Sequence, residues 1–278
     1  MRVRWAQYFL TWVAIVMGIS AGAAHASLSQ ASSRPPKIVS LDGCADQYVL
    51  GLVPQADIAA VSDRATLPES FFRDRVGTIR RVKPYLETIL SLQPDIVVRT
   101  WGGDLRLLQR LQHHGIKIVT INDVSSYDQA RDELYRVGDA VGQPASARIE
   151  ARRFEETLDN IQNIGRGRTV LYYTPGGYSA GPDTMIGDML TRLGFRMETQ
   201  TKGFYFLSPE IMLTKKPDVF ALAFFDDSVA MRRVPGRSPI VRRIISARPN
   251  LILPSRAVAC GGWFTAYDIE SLSLQGFR

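Results

Sequence analysis

The stretch 86-LETILSLQPDIVVRTWGGD-104 places a helix, a break, a strand and a turn in direct succession. Its first seven residues have helical spacing, and Pro94 ends that helix. Residues 95–99 form an apolar run, which is typical of a parallel strand covered by helices on both faces. Trp101 lies just past the end of this strand, before two glycines. The stretch therefore predicts one helix–strand–turn unit of an α/β protein.

A second copy of this pattern, 208-SPEIMLTKKPDVFA-221, lies in the other half of the chain. Glu87 and Glu210 each stand in a short predicted helix that leads to a Pro-Asp pair and an apolar strand. The step from glutamate to proline is seven residues in both copies. A pattern repeated at equivalent places predicts two lobes of the same architecture.

Strands alternate with helices along the rest of the chain, which predicts parallel sheets. In the first half we expect strands at 37–41, 58–61, 76–78, 95–99 and 116–121, and helices at 44–52, 86–92, 104–114 and 127–141. Pro144 opens a long polar helix at 145–164 with one apolar stripe. The alternation then restarts, with strands at 169–174, 218–225 and 251–253 and helices at 182–193, 209–215, 239–247 and 268–274. The predicted division is an N-terminal lobe at 37–142, a connector helix at 143–164 and a C-terminal lobe at 165–278.

The first 26 residues have the three parts of a secretory signal peptide. Arg2 and Arg4 precede an apolar run at 8–19, and small residues lead to Ala24-His25-Ala26. The alternative, a membrane anchor, needs about 20 apolar residues, which is more than this run offers. We expect cleavage after Ala26 and a periplasmic product.

Charge and metal-ligating residues narrow the function further. The formal charge of the chain is +7, and it falls to +5 without Arg2 and Arg4. The basic residues occur as doublets dispersed along the chain, a pattern that does not predict nucleic-acid binding. Only His113 and His114 would follow the leader, too few for a transition-metal site made by the protein alone. Two cysteines permit a disulfide in an oxidising compartment. They could equally ligate a soft metal in a ligand or be two separate, half-buried thiols.

Four stretches of the sequence resemble the helix-linked, class III periplasmic substrate-binding proteins of ABC importers for iron-siderophores, haem and cobalamin. Residues 37–41 are similar to the family's opening strand, and residues 86–98 to its Leu-Glu … Leu-x-Pro-Asp signature. Residues 101–103 with 111–119 resemble the cobalamin-binding type, and residues 145–164 the connector. The resemblance implies two Rossmann-like lobes with parallel sheets, joined by one long helix, with the ligand cleft between the lobes.

The resemblance also implies a role and partners. A monomeric protein without a cofactor would capture a metal chelate, either a corrinoid or an iron-siderophore, and deliver it to an inner-membrane permease. Family members dock through one surface glutamate per lobe, and the matching motif positions are Glu87 and Glu210. Two separated carboxylates would fix the orientation of docking.

Loops at the carboxyl ends of parallel strands supply the candidate ligand contacts. Aromatic residues outnumber charged ones among them and can stack on a flat chelate, which favours a corrinoid. The candidate residues are Asp42, Cys44, Arg64, Tyr85, Trp101, Tyr173, Tyr178, Tyr205, Phe225 and Trp263.

The alternatives to this function are a sensor, a haem-binding protein and an enzyme. A sensor that signals without transport, or a haem-binding protein, would have the same fold. An enzyme is disfavoured because the sequence contains no G-x-S-x-G, phosphate-loop, H-E-x-x-H or G-x-G-x-x-G motif. The single connector helix predicts little closure on ligand binding.

Overall fold

The computed structural model describes residues 34–100, 102–225 and 234–275. Its N-terminal lobe is a five-stranded sheet in the order β3-β2-β1-β4-β5, in which all paired strands are parallel. β1 and β4 are buried along their whole length because helices cover the sheet. The elements of this lobe are β1 (Ile38–Ser40), α1 (Gly43–Leu52), β2 (Ile58–Ser62), β3 (Arg81–Val82), α2 (Leu86–Ser91), β4 (Ile96–Arg99), α3 (Leu105–His113), β5 (Lys117–Thr120) and α4 (Tyr127–Ala140).

A long helix, α5 (Pro144–Asn160), follows the first lobe. Pro144 occupies its first turn, where a missing N–H costs no hydrogen bond. At 1.5 Å per residue its 17 residues span about 26 Å. The helix buries Ala151 and Phe154 and packs against α4 and the last helix of the chain, so it is supported along its length.

The C-terminal lobe contains a four-stranded parallel sheet and a small two-stranded antiparallel sheet. The sheet has the order β11-β10-β6-β8, and β7 pairs with β9 beside it. Its elements are β6 (Thr169–Tyr173), β7 (Tyr178–Ala180), α6 (Met185–Arg192), β8 (Arg196–Met197), β9 (Phe204–Phe206), α7 (Pro209–Thr214), β10 (Val219–Ala223), α8 (Pro239–Ser246), β11 (Asn250–Leu253), α9 (Ser255–Val258) and α10 (Thr265–Gln275). No helix among the described residues is long and apolar enough to cross a membrane.

The repeated Pro-Asp pair has the same structural role in both lobes. The Asp95 carboxylate accepts the backbone N–H of Lys37 at 2.7 Å, at the start of β1. The Asp218 carboxylate accepts the N–H of Thr169 at 2.8 Å, at the start of β6. In each lobe the backbone N–H of the aspartate also donates to the carbonyl of its partner residue. The aspartate therefore fixes the register between the lobe's first strand and the strand after the glutamate helix.

Two local predictions were wrong. The third strand is at Arg81–Val82, not at 76–78, because Gly77 takes a left-handed φ of 49° and turns the chain there. Val76 is buried although it belongs to no strand, which explains why its apolar side chain suggested one. The last helix begins earlier than predicted, at Thr265. The antiparallel pair of β7 and β9 was not predicted at all.

One apolar core runs through both lobes. Trp263, in the segment before α10, is fully buried and meets the Tyr48 ring on α1 edge-to-face, with centroids 4.9 Å apart. Phe264 contacts Phe72 of the N-terminal lobe at 5.9 Å. Gly51 leaves room for this contact, since a Cβ there would lie 2.8 Å from the Trp263 ring. The segment before α10 thus packs into the first lobe and ties the two lobes together.

Candidate functional site

A disulfide joins the two lobes at the carboxyl ends of their strands. Cys44, in the first turn of α1, is bonded to Cys260, between α9 and α10, with Cα atoms 5.4 Å apart. The two residues are 216 positions apart in sequence. The alternatives of separate thiols and of thiolate metal ligands are therefore wrong. The described residues also contain no cluster of three or more His, Cys, Asp or Glu side chains fit to hold a metal ion.

The disulfide borders a cavity between the lobes, which we call the interlobe cavity. Its volume is about 470 Å³. Residues 121–125, which follow β5, form one wall together with Tyr48. Residues 183–186 and 257–261 of the C-terminal lobe form the other wall. Both lobes therefore contribute to one concave site, as small-molecule binding requires.

A smaller recess of about 250 Å³ lies against the same disulfide. It brings together Asp42, Cys44 and Arg64, three of the predicted ligand residues. Arg64 pairs with Glu69 at 3.4 Å, and its side chain is largely exposed. This recess therefore offers charged groups at the edge of the site.

An aromatic pocket of about 1040 Å³ adjoins the interlobe cavity in the C-terminal lobe. The predicted residues Tyr178 and Phe225 line it. Phe204 and Val258 line both this pocket and the interlobe cavity, so the two spaces are neighbours. Rings exposed here offer flat apolar surface beside the interlobe cavity.

Carboxylates fix three loops that follow strands of the N-terminal lobe. Asp42 caps α1 and accepts the N–H of Thr100, which follows β4. Asp46 accepts both the N–H and the hydroxyl of Ser62, at the end of β2. Glu133 accepts the N–H of Asn122, after β5, at 2.6 Å. The loops therefore have their conformation before any ligand arrives, which lowers the entropic cost of binding.

The surroundings of Asp46 and Glu133 change the pKa values of these two carboxylates in opposite directions. Burial raises the pKa of Asp46 to about 6, although its hydrogen bonds from serines oppose the shift. Burial also acts to raise the pKa of Glu133, but hydrogen bonds from Arg136 and Asn122 outweigh it and lower that pKa. Glu133 thus stays charged while it holds the loop of the cavity wall.

A further bond crosses between the lobes next to the cavity. The backbone N–H of Tyr127, at the start of α4, donates to the Asp188 carboxylate of α6 at 2.8 Å. The Arg192 guanidinium lies 5.4 Å from the centre of the Tyr127 ring. With the disulfide and the Trp263 contact, this bond holds the lobes together around the cavity.

The structure places other predicted ligand residues away from the interlobe cavity. Trp263 was expected in the cleft but is a core residue, because Tyr48 and Phe72 enclose its ring. Tyr173 is likewise fully buried, in a core of the C-terminal lobe.

Three more predicted residues lie elsewhere. Tyr85 is exposed at the start of α2, and Tyr205 packs on the C-terminal core with a buried hydroxyl. Trp101 lies outside the described residues, so its contact with ligand stays a prediction.

Tyr48 and the loop at 121–125 line the cavity but were not among the predicted ligand residues. Tyr48 has the apolar spacing of a core residue on α1, yet it stands one turn after Cys44 and lines the cavity. The loop at 121–125 obeys the strand-end rule, and the end of β5 was the signal that could have found it.

The two predicted docking glutamates occupy equivalent positions. Glu87 is the second residue of α2 and Glu210 the second of α7, and both are exposed. A hydrogen bond with Ser208 lowers the pKa of Glu210, which keeps it charged. Docking through them stays a prediction.

Comparison with known proteins identifies the family. Residues 38–223, more than half of the chain, match the periplasmic binding protein family. The chain belongs to this family. It is 26% identical over 197 residues to a cobalamin-binding protein of Halobacterium salinarum, over 67% of this chain and 53% of the relative. The chain thus spans about half the length of that relative.

Other relatives extend the comparison. An uncharacterised ABC transporter substrate-binding lipoprotein of Bacillus subtilis, YvrC, is 22% identical over 242 residues, which are 80% of this chain and 75% of the relative. Among solved structures, the haem-binding protein HutB of Vibrio cholerae superposes with a TM-score of 0.68 at 16% identity, over 87% of this chain and 99% of that one. The haem-binding protein RhuT of Roseiflexus gives 0.65 at 22%, over 87% and 97%. These structures share the two-lobed fold.

Proposed function

We propose that this periplasmic binding protein captures a large metal chelate, with a corrinoid favoured, and delivers it to the permease of an ABC importer. The observation that carries the proposal is the interlobe cavity, which has walls from both lobes and an aromatic pocket beside it. Relatives with matching sequence are named as a cobalamin-binding protein and an ABC transporter substrate-binding lipoprotein. Both names denote binding proteins, and we propose no catalytic activity.

The proposal includes the location and organisation of the chain. Residues 1–26 would direct export and be removed, leaving a monomer in the periplasm. The ligand would be enclosed by two lobes held together by a connector, which are the N-terminal lobe (37–142), the connector (143–164) and the C-terminal lobe (165–278). The disulfide supports this location, because such bonds persist in oxidising compartments.

Ligand capture is tested by titration of the purified protein with cyanocobalamin, haemin and a panel of ferric siderophores. We expect saturable binding of a corrinoid at one molecule per chain, followed by tryptophan fluorescence and calorimetry. The variant Trp101→Ala tests whether the predicted stacking contributes. If haemin were the one compound to bind saturably, the ligand would be haem and not a corrinoid. If no compound of the panel bound, chelate capture would be refuted.

Delivery to a permease is tested separately from capture. The double variant Glu87→Arg with Glu210→Arg reverses charge on both exposed helices, and Glu155→Arg on α5 is a matched exposed control. We expect the double variant to bind its chelate normally but to lose uptake in cells, while the control transports. Unchanged uptake in the double variant would refute docking through these glutamates. Uptake that is the same in cells with and without this protein would favour the alternative of a sensor.

A further inference from the structure

The interlobe cavity is acidic in a basic protein. The chain has a formal charge of +7, yet Asp123 and Asp183 are the charged side chains among the described residues that line this cavity. They come from opposite lobes and are both exposed at its walls. The Asp183 carboxylate accepts the backbone N–H of Gly203 at 2.7 Å, which fixes its position. An anion entering the cavity would therefore meet negative charge from two sides.

The nearby cations belong to the neighbouring spaces. Arg136 lines a separate recess that also includes Asp123, and its guanidinium is paired with Glu133. Arg64 lies in the smaller recess and is paired with Glu69. Arg237 and Arg242 line the aromatic pocket. The interlobe cavity itself has no lysine or arginine in the part of its lining that the structure describes.

Tyr48 provides an independent sign of a ligand in this cavity. Its side chain is 1% exposed and lines the cavity wall, and its hydroxyl has no hydrogen-bond partner in the described structure. Burial raises the pKa of Tyr48, so the hydroxyl keeps its proton. A buried hydroxyl without a partner is costly. A bound carbonyl or amide oxygen would remove that cost.

We propose that the interlobe cavity selects a chelate with no net negative charge and with carbonyl acceptors at its edge. Asp123 and Asp183 disfavour anionic chelates by repulsion, and Tyr48 donates a hydrogen bond to an amide-type oxygen of the ligand. This inference rests on the proposed function and narrows its ligand class. It favours neutral or cationic corrinoids, which carry amide side chains, over carboxylate-bearing haem and anionic ferric siderophores.

Charge selection is tested with ligands of graded charge. The dissociation constants of cationic diaquacobinamide, neutral cyanocobalamin and anionic haemin are measured at low and at physiological salt. We expect the order cobinamide, cyanocobalamin, haemin, from tight to weak. The double variant Asp123→Asn with Asp183→Asn should reduce the preference for cobinamide over haemin by roughly tenfold, and more strongly at low salt.

The control is Asp128→Asn, which removes an exposed carboxylate on α4 outside the cavity lining. It should leave the preference unchanged. An unchanged preference in the double variant, or an equal change in the control, would overturn charge selection even though chelates bind. Absence of binding by every chelate would instead overturn the proposed function.

The role of Tyr48 is tested with Tyr48→Phe. We expect affinity for cyanocobalamin to fall roughly fivefold, while stability against urea is unchanged or higher, because the lost hydroxyl has no partner in the protein. The variant retains Cys44, which lies on the same helix, so formation of the Cys44–Cys260 disulfide checks that the variant has folded. Reduced stability with unchanged affinity would show a purely structural role and overturn the assignment.

Discussion

The disulfide between the lobes should make a large contribution to the stability of the whole chain. Cys44 and Cys260 close a loop with a sequence separation of 216 residues. Chain-entropy arguments relate the stabilisation to the logarithm of loop length, and for this loop they give about 5 kcal/mol at 25 °C. The double variant Cys44→Ser with Cys260→Ser removes the bond. We expect its free energy of unfolding to fall by most of this amount.

The assay is urea unfolding of the oxidised protein, the reduced protein and the double variant, followed by circular dichroism and tryptophan fluorescence. The oxidised protein should unfold at the highest urea concentration, and the other two should coincide. Reductant should not affect the double variant, which controls for effects on the rest of the chain. If the free energy of unfolding fell by less than about 1 kcal/mol, the disulfide would barely constrain the unfolded chain, and the predicted stabilisation would be wrong.

Three further predictions concern packing, pH and register. Gly51→Ala should lower the free energy of unfolding by about 1–3 kcal/mol in urea, because the new Cβ overlaps the rigid Trp263 ring; a more stable variant would contradict this packing. The folded-state pKa of Asp46 is raised from 3.8 to about 6, so the wild type should lose stability as pH rises through that window. Relative to it, Asp46→Asn should gain up to about 3 kcal/mol between pH 4 and pH 7.5, measured by urea unfolding at each pH; a pH-independent difference would contradict burial of the charge. Hydrogen bonds from Thr169 lower the pKa of Asp218, so Asp218→Ala should destabilise the protein more at neutral pH than near pH 2. The variant should also show faster amide exchange at the start of β6. Equal exchange rates in the variant and the wild type would contradict the role of Asp218 in strand register.

Local patterns in the sequence predicted most of the fold. The Pro-Asp repeat predicted the two lobes because each copy encodes a helix, a break and a buried strand within about 15 residues. Its aspartates fix strand register, because each carboxylate accepts a backbone N–H at the start of the first strand of its lobe. The pairing of β7 with β9 was missed, because the residues Phe204, Tyr205 and Phe206 are all aromatic and show no alternation of apolar and polar side chains.

Contacts between distant parts of the chain were harder to predict. Trp263 has the composition and loop setting of a ligand contact, but its burial depends on Tyr48, more than 200 positions earlier, and on the space left by Gly51. The strand-end rule located Asp42, Cys44 and Arg64, which do meet at one recess. It could not decide which loops of one lobe face which loops of the other.

The central claim is that a chelate binds between the lobes, and hydrogen exchange tests it most directly. Amide exchange is measured with and without saturating cyanocobalamin, or whichever chelate of the panel binds best. We expect slower exchange in residues 121–125 and 257–261 together, because these segments form opposite walls of the interlobe cavity. Protection of one lobe alone, or of a surface away from these walls, would contradict it.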